Sequence, residues 1–210
     1  MAMVLDGIEI DETSILRLQG YRDLERVRRA IKRAAASAAR ETEALIRPCV
    51  YYRLLVVDRC QGSTLELEDG TVFENEAFQR FLKESREIVV FILTMGHALD
   101  EAVVDHIDKD RLLNALFLET AGWLGIEAAT RRLSIHLRER ARKTGYRLSP
   151  RLGPGYSYKL DGRSVSWPLE QQQTLFKLFI DDNIDVQILE SCAMLPKISR
   201  SGIFGFLAKP

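Results

Sequence analysis

Residues 146–169, YRLSPRLGPGYSYKLDGRSVSWPL, form the stretch around which the rest of the chain is organised. At its centre lies the loop RLGPGY, residues 151–156. Its proline and glycines keep the backbone out of helix and strand, while an arginine and a tyrosine project from it. Loops held between regular elements often carry binding groups. Chemistry alone still favours a rigid connector with a solvated Arg151 over a binding loop.

Charge and composition place the chain among ordinary globular proteins. It has 210 residues, and 30 basic residues balance 30 acidic ones, giving a formal net charge of zero. Nucleic-acid binding needs a basic excess on one face, so it is not expected. No apolar run approaches the roughly 20 residues of a membrane span, and the start MAMVLDGIEIDE lacks the blocks of a secretion signal. We therefore expect a cytoplasmic protein that contacts no membrane.

Cysteines and histidines give no pattern of a disulfide framework or a metal site. The cysteines, Cys49, Cys60 and Cys192, are isolated and have no CxxC spacing. The histidines are equally scattered, at His97, His106 and His136. Phosphate-binding GxGxxG and GxxxxGK[ST] loops and the GxSxG nucleophile motif are also absent. No metal, nucleotide-fingerprint or hydrolase chemistry is predicted.

Apolar periodicity predicts long helices over residues 24–46 and 111–144. The continuous run IVVFIL, residues 88–93, predicts a buried central strand, and STLELEDGTVFEN, residues 63–75, predicts a hairpin turning at Asp69-Gly70. The remaining predicted elements are a short helix within 8–21 that Gly20 caps, a strand at 51–58, helices at 77–83 and 98–107, a helix whose first residue is Pro168, a strand at 186–189, a turn at 194–196 and a strand at 203–207.

This order lacks a βαβ rhythm and predicts an α+β fold, with a mixed or antiparallel sheet packed by long helices. We expect one domain over residues 1–210, with an N-terminal helical subregion over 1–48. Inside the long helix, Gly122 and Gly125 leave a smooth surface, which indicates tight packing more than ligand contact. Basic residues on the first long helix are interpreted as a solvated face.

Four segments of the second half form a composite motif. They are Arg151-Leu152-Gly153-Pro154-Gly155-Tyr156, Leu189-Glu190-Ser191, Met194-Leu195-Pro196 and Ser199-Arg200-Ser201-Gly202. Together they resemble the S-adenosylmethionine-binding activation domain of cobalamin-dependent methionine synthase and its free-standing relatives. In that family the stretches are Arg-Pro-Ala-Pro-Gly-Tyr, Thr-Glu-Ser, Met-x-Pro and Ser-Val-Ser-Gly. A weaker likeness reaches LRLQGY at residues 16–21 and LTMG at 93–96.

The resemblance implies a ligand site made of Arg151, Gly153, Tyr156 and Glu190. An arginine fork can pair with the methionine carboxylate of the ligand, and a small residue lets the ligand approach the main chain. Glu190 is expected to face the ligand amine or Arg151. The family also uses an aspartate near its N-terminus, for which this chain shows no match. Gly153 and Leu189 depart from the family's alanine and threonine.

The resemblance also implies a role in reactivation, the reductive methylation of oxidised cobalamin from S-adenosylmethionine. Cobalamin would be carried by a partner, because the chain lacks the Asp-x-His-x-x-Gly motif of cobalamin-binding domains. The expected partners are a corrinoid-binding protein or a methionine synthase core supplied in trans, and a flavodoxin-like reductant. The chain would then be a component of a methyltransferase activity. An alternative stays open: a non-catalytic module that docks on a corrinoid protein, its ligand site decayed.

Overall fold

The chain combines helices and strands without a repeating order. A computed structural model describes residues 1–208. Their helices are α1 (Glu12–Leu18), α2 (Arg29–Leu45), α3 (Ala77–Phe81), α4 (Ala98–Asp108), α5 (Leu112–Lys143) and α6 (Gln171–Lys177). Their strands are β1 (Ala2–Val4), β2 (Cys49–Gln61), β3 (Thr64–Leu67), β4 (Val72–Glu74), β5 (Ser85–Thr94), β6 (Tyr146–Leu148), β7 (Ser157–Leu160), β8 (Arg163–Ser166), β9 (Gln187–Ile188), β10 (Met194–Leu195) and β11 (Ser199–Ala208).

One antiparallel sheet forms the centre of the molecule. Its strand order is β4-β3-β2-β5-β11-β6, with β1 added beside β2. Two small hairpins, β7–β8 and β9–β10, lie apart from it. These pairings confirm the predicted α+β class and show that the sheet is antiparallel over residues 1–208.

β5 separates two hydrophobic cores, which explains why its sequence is apolar throughout. Phe91 packs into the core shared with α1, α2 and α5, whereas its neighbour Val90 packs into the core built with α3, α6 and the β3–β4 hairpin. All side chains from residue 88 to 93 are fully buried. A strand covered on both faces has no polar side to alternate, so the prediction of a central buried strand is confirmed.

The glycines of α5 serve helix packing. A Cβ atom at Gly122 would lie 2.5 Å from Leu99 Cδ2 and 3.2 Å from Ile198 Cγ1. A Cβ atom at Gly125 would lie 2.9 Å from Met95 Cε. Neighbouring protein atoms therefore occupy the space that side chains would need, and the prediction of tight packing over ligand contact is confirmed.

Two predicted helix starts are wrong. α2 begins at Arg29 and not at residue 24, because Asp23 accepts a hydrogen bond from Glu25 N and pairs with Arg26, which holds this segment in a turn. The last helix, α6, begins at residue 171 and not at Pro168. The Pro168 carbonyl instead accepts a turn hydrogen bond at 3.3 Å from the backbone N–H of residue 171. The cap of α1 is confirmed, since Gly20 has a φ of 89°.

One hairpin, β7–β8, and one strand, β10, lie where the sequence indicated loop or turn, whereas β9 lies within the strand predicted at 186–189. Residues 157–166 form β7 and β8, joined by Asp161 and Gly162 at φ angles of 48° and 84°. Positive φ at both positions is the geometry of the two-residue hairpin turn that Asp-Gly favours. The turn expected at residues 194–196 is instead strand β10, which pairs Met194 with Ile188.

Candidate functional site

The start of β11 has an open edge. One side of the strand is paired with β5, whereas on the other side β6 covers residues 206–208 and Leu152 pairs with Ile203. Leu152 and Ile203 exchange two hydrogen bonds, of 3.0 and 2.7 Å. Because backbone groups alternate in direction along a strand, Ser201 and Ser199 point their N–H and C=O groups to the same side as Ile203. No strand pairs with these groups, and the loop residue Gly153 lies against Ser201 O.

The loop 151–156 is held in place by its own backbone. Gly153 N donates to the Tyr158 hydroxyl at 2.7 Å, and that hydroxyl donates to Gly153 O at 3.1 Å. Gly155 N donates to Trp167 O at 2.8 Å, and Trp167 N donates to Tyr156 O at 2.9 Å. The loop is therefore bonded to Tyr158 on β7 and to Trp167, the residue after β8, which fixes the direction of the side chains it presents.

A cleft of about 270 Å³ lies between this loop and the open edge of β11. Its lining residues come from α5, the loop, α6 and the residue Leu169 before it, the segment before β11, and the start of β11: Trp123, Pro154, Tyr156, Leu169, Gln172, Cys192, Ala193, Met194, Lys197, Ser199, Arg200 and Ser201. The buried Gln172 ties two of its walls together. Its Nε2 donates to Cys192 O at 2.6 Å, and its Oε1 accepts from Ser201 Oγ at 2.9 Å.

The structure brings Arg151, Gly153 and Tyr156 together at one wall of the cleft. The Arg151 guanidinium carbon lies 4.2 Å from the centre of the Tyr156 ring. A Cβ atom at Gly153 would be 2.9 Å from Ser201 O, 3.2 Å from Arg151 Nη1 and 3.3 Å from Tyr156 Cδ2. Tyr156 lines the cleft directly, while Arg151 stacks behind it. The absence of a side chain at Gly153 allows this close arrangement against β11.

Glu190 lies apart from this wall. Its side chain is exposed and makes neither a hydrogen bond nor an ion pair with any residue between 1 and 208, Arg151 included. The residues that follow it, Cys192 and Ala193, line the cleft. A role of Glu190 toward the ligand amine stays a prediction.

Arg200 is a site residue that the sequence motif did not single out. It lies on β11, lines the cleft and is only 8% exposed. Its Nη1 contacts Glu127 Oε2 at 2.7 Å and Thr130 Oγ1 at 3.0 Å, both on α5. These partners are 73 and 70 residues away along the chain, so no local pattern could have revealed the pair.

Two of the residues that line the cleft, Arg200 and Lys197, are cations. Partial burial tends to raise the pKa of Glu127, but the Arg200 hydrogen bond and the charges of Arg200, Arg151 and Arg131 outweigh it and lower that pKa. Lys197 pairs with Glu119, and its backbone N–H donates to Asp100. Arg200 and Lys197 thus each have a carboxylate partner, whereas Arg151 makes no ion pair within residues 1–208.

The histidines are engaged elsewhere or lie away from the cleft. His97 contacts Asp185 at 3.0 Å, and the buried His106 contacts Glu41 at 3.0 Å. None of the chain's three histidines lines the cleft. Within residues 1–208 no group of three or more histidines, cysteines or acidic residues is placed to hold a metal ion. No helix over the same range is long and apolar enough to cross a membrane.

A larger groove of about 580 Å³ runs along α6 and residues 180–188. No enclosed polar atom without a partner belongs to its described lining. In contrast, Arg200, which lines the cleft by β11, and Arg151, which stacks behind Tyr156, each have one enclosed nitrogen (Nε and Nη1) without a partner within residues 1–208. Buried polar groups are normally hydrogen-bonded, so these two nitrogens favour the smaller cleft as the ligand site.

Comparison with known proteins bears on the fold. No protein-family model matches the chain, and no curated protein matches it in sequence. Solved structures do match, among them the crystal structure of the MetH reactivation domain bound to AdoHcy (S-adenosylhomocysteine). The TM-score is 0.70 at 14% identity, and the match covers 100% of this chain and 79% of that chain. The fold is that of the MetH reactivation domain. At this identity the likeness concerns the arrangement of the elements.

Proposed function

We propose that the chain binds S-adenosylmethionine in the cleft beside β11 and supports the reductive methylation of cobalamin on a separate protein. The observation that carries this proposal is the joint placement of Arg151, Gly153 and Tyr156 against the open edge of β11. A fold shared with a reactivation domain that binds AdoHcy supports it. The enclosed, unpaired guanidinium nitrogens point to an anionic group as part of the ligand.

The cleft offers one kind of contact for each part of such a ligand. Arg151 can pair with the carboxylate, because a guanidinium fork matches carboxylate geometry. The backbone groups of Ser199 and Ser201 can hydrogen-bond the adenosyl group as an edge strand does. Trp123 is 38% exposed at the rim and offers an aromatic face. Tyr156 closes the wall between them.

In the proposed reaction the chain's contribution is positioning. One electron from a flavodoxin-like reductant and the methyl group of S-adenosylmethionine pass to the cobalt of the partner, and the ligand leaves as the neutral thioether AdoHcy. No proton transfer is needed, so the reaction requires no general acid or base from this chain. Cobalamin would come from a corrinoid-binding protein or a methionine synthase core, since no histidine of this chain lies at the cleft.

Calorimetric titration with S-adenosylmethionine and AdoHcy tests ligand binding. We expect saturable heat, and Arg151→Ala should weaken binding by about 1.5–3 kcal/mol through loss of a charge-assisted hydrogen bond. Arg147→Ala is the matched control, because Arg147 is exposed and pairs with Glu84 on the β6 side. No heat and no thermal shift at millimolar ligand would overturn the proposal and favour a docking module with a decayed site.

Fluorescence supplies a second readout of the same site. Trp123 lies at the cleft, whereas Trp167 is only 1% exposed in the core. Ligand binding should therefore change the emission of Trp123, and the change should vanish in Trp123→Phe.

Capture of a purified corrinoid protein, with and without S-adenosylmethionine, tests the partner. Capture that S-adenosylmethionine does not alter would contradict coupling between the ligand and the partner.

A further inference from the structure

Arg200 is buried with its hydrogen-bonding capacity incompletely used. Its side chain is 9% exposed, and both of its hydrogen bonds are made by Nη1, to Glu127 and Thr130. Nε is enclosed without a partner in residues 1–208, and Nη2 is neither enclosed nor bonded there. A buried guanidinium normally has its donors filled. Because Arg200 lines the cleft, Nη2 is the nitrogen that a ligand there can reach.

Arg151 shows the same deficit on the neighbouring wall. Its Nη1 is enclosed without a partner in the described chain, and its guanidinium makes no ion pair there. Arg151 Nη1 also lies close to the backbone beside Arg200, since a Cβ atom at Gly153 would be 3.2 Å from that nitrogen and 2.9 Å from Ser201 O. The two arginines therefore lie near the same stretch of β11, Arg200 in the lining of the cleft and Arg151 behind Tyr156.

Glu127 pairs with Arg200 and also feels the charge of Arg151. Against the opposing effect of burial, Arg200 and Arg151 both lower the pKa of Glu127, so both guanidiniums lie within electrostatic reach of it. The Glu127 side chain is 60% exposed and pairs with Arg200. Arg151 makes no ion pair within residues 1–208, so one solvated carboxylate lies near two cations, which leaves room for a second anion.

We propose that Arg200 and Arg151 together bind the carboxylate of an adenosyl amino acid, with Arg200 as a specificity-determining residue of the cleft. The inference rests on the proposed function and deepens it. Both arginines have donors free for such an anion, and two guanidiniums can hold the two oxygens of one carboxylate. Arg200 would then select ligands that keep the amino-acid carboxylate over nucleosides that lack it.

A pair of probes isolates this role from a structural one. AdoHcy carries the carboxylate, whereas S-adenosyl-3-thiopropylamine keeps the adenosyl group, the thioether and the amine but lacks the carboxylate. Both are titrated calorimetrically into wild type, Arg200→Gln and Arg131→Gln. Arg131 is the matched control, because it is an exposed cation that also acts on Glu127 but does not line the cleft.

For Arg200→Gln we expect AdoHcy to bind roughly 10- to 150-fold more weakly, as for a lost charge-assisted hydrogen bond. The amine probe should bind within about threefold of wild type or tighter, and Arg131→Gln should change neither ligand, because only the carboxylate contacts Arg200. Equal weakening of both ligands in Arg200→Gln, or unchanged AdoHcy affinity, would overturn the inference.

The double variant Glu127→Gln/Arg200→Gln keeps the test decisive if Arg200→Gln does not fold. It leaves a neutral pair in place of an unpaired carboxylate, and the same carboxylate-selective loss is expected. If wild type binds neither probe, the proposed function fails as well. A different outcome is that wild type binds AdoHcy, while Arg200→Gln and Arg131→Gln both keep the wild-type ratio of AdoHcy affinity to amine-probe affinity. In that case the inference alone fails.

Discussion

The hydroxyl of Tyr158 contacts both backbone groups of Gly153, accepting from its N–H at 2.7 Å and donating to its C=O at 3.1 Å. A single side chain on β7 thus replaces the pairing that a neighbouring strand would give to this position. Burial raises the pKa of Tyr158, and this outweighs the opposing effect of the Gly153 hydrogen bond. The hydroxyl therefore keeps its proton, and with it the bond to the carbonyl, at neutral pH.

Replacing Tyr158 with phenylalanine should loosen the loop. Gly153 N would lose its partner, and an unsatisfied buried group costs about 1–3 kcal/mol. We expect a loss of this size in the free energy of unfolding, measured in urea, and faster hydrogen exchange at Gly153. Tyr146→Phe is the control, since the Tyr146 hydroxyl makes no hydrogen bond within residues 1–208. Equal stability of the two variants would show that the Tyr158 hydroxyl does not stabilise the loop.

The raised pKa of Tyr158 gives a stability effect at alkaline pH. A group whose folded-state pKa exceeds its unfolded value of 10.0 stabilises the fold below that pH, and the contribution is lost as pH rises through the folded-state pKa. Wild type should therefore lose stability above about pH 10, and Tyr158→Phe should lose less there. Chemical denaturation between neutral pH and pH 11 tests this, and parallel pH profiles for both proteins would contradict it.

Gly153→Ala and Gly202→Ala should both lower the free energy of unfolding, and Gly202→Ala should lower it more. A Cβ atom at Gly202 would lie 2.4 Å from Leu152 O, closer than the 2.9 Å between a Cβ atom at Gly153 and Ser201 O. Overpacking against backbone typically costs about 1–3 kcal/mol, so Gly202→Ala should be the more damaging. Gly145→Ala, with open space around it and a φ of 83°, measures the cost of a left-handed backbone without a clash, a cost that Gly153 and Gly202 do not carry. A larger loss of stability for Gly153→Ala than for Gly202→Ala, measured in urea, would contradict the order expected from these distances.

Helix α1 should show an acid-sensitive cap. Asp11 accepts hydrogen bonds from Thr13 and Ser14 through their hydroxyls and backbone N–H groups, which lower its pKa from 3.8 to about 2. Its contribution is present above pH 3.8 and is lost as pH falls toward 2. Asp11→Ala should cost about 1 kcal/mol at neutral pH. Asp11→Asn should keep most of the cap without this pH dependence.

Thermal unfolding between pH 2.5 and 7 measures the cap's effect. The difference between wild type and Asp11→Ala should shrink as the pH drops through this range, because the wild-type carboxylate becomes protonated. A constant difference across the range would show that Asp11 acts through packing and not through its charge.

Sequence reasoning succeeded where a local pattern has one physical solution. The run of residues 88–93 is apolar on both sides because two cores cover it, and α5 begins and ends within one residue of the predicted range 111–144. The β7–β8 hairpin was missed although Asp161-Gly162 is a strong turn signal. Its strands carry polar residues such as Lys159 and Ser164, which hide the alternation.

The site was predictable only in part, because only some of its contacts join residues that are close in sequence. The order along the loop places Arg151, Gly153 and Tyr156 within six residues, so their proximity is local. Arg200 meets Glu127 only through the packing of β11 against α5, which no sequence spacing encodes. Glu190 was expected from a motif, and its position depends on the path of an exposed segment that the motif does not specify.

The stacking of Arg151 on Tyr156 should matter more for ligand affinity than for stability. Tyr156 is 39% exposed, and a cation–π contact at an exposed site contributes about 0.5–1 kcal/mol. Tyr156→Ala should therefore lower the free energy of unfolding only slightly. It should weaken AdoHcy binding by about tenfold or more, because Arg151 loses the surface that orients its guanidinium and must be ordered on binding.

Tyr156→Phe separates the ring from the hydroxyl. If stacking alone orients Arg151, the phenylalanine variant should bind AdoHcy nearly as wild type does, whereas a hydroxyl contact to the ligand would give a loss of about 0.5–1.5 kcal/mol. Calorimetric titration of the alanine and phenylalanine variants, with urea denaturation of each, provides both readouts. Wild-type affinity in Tyr156→Ala would place the ligand away from this wall. The proposed joint role of Arg151 and Arg200 would then fail, because Arg151 stacks on Tyr156.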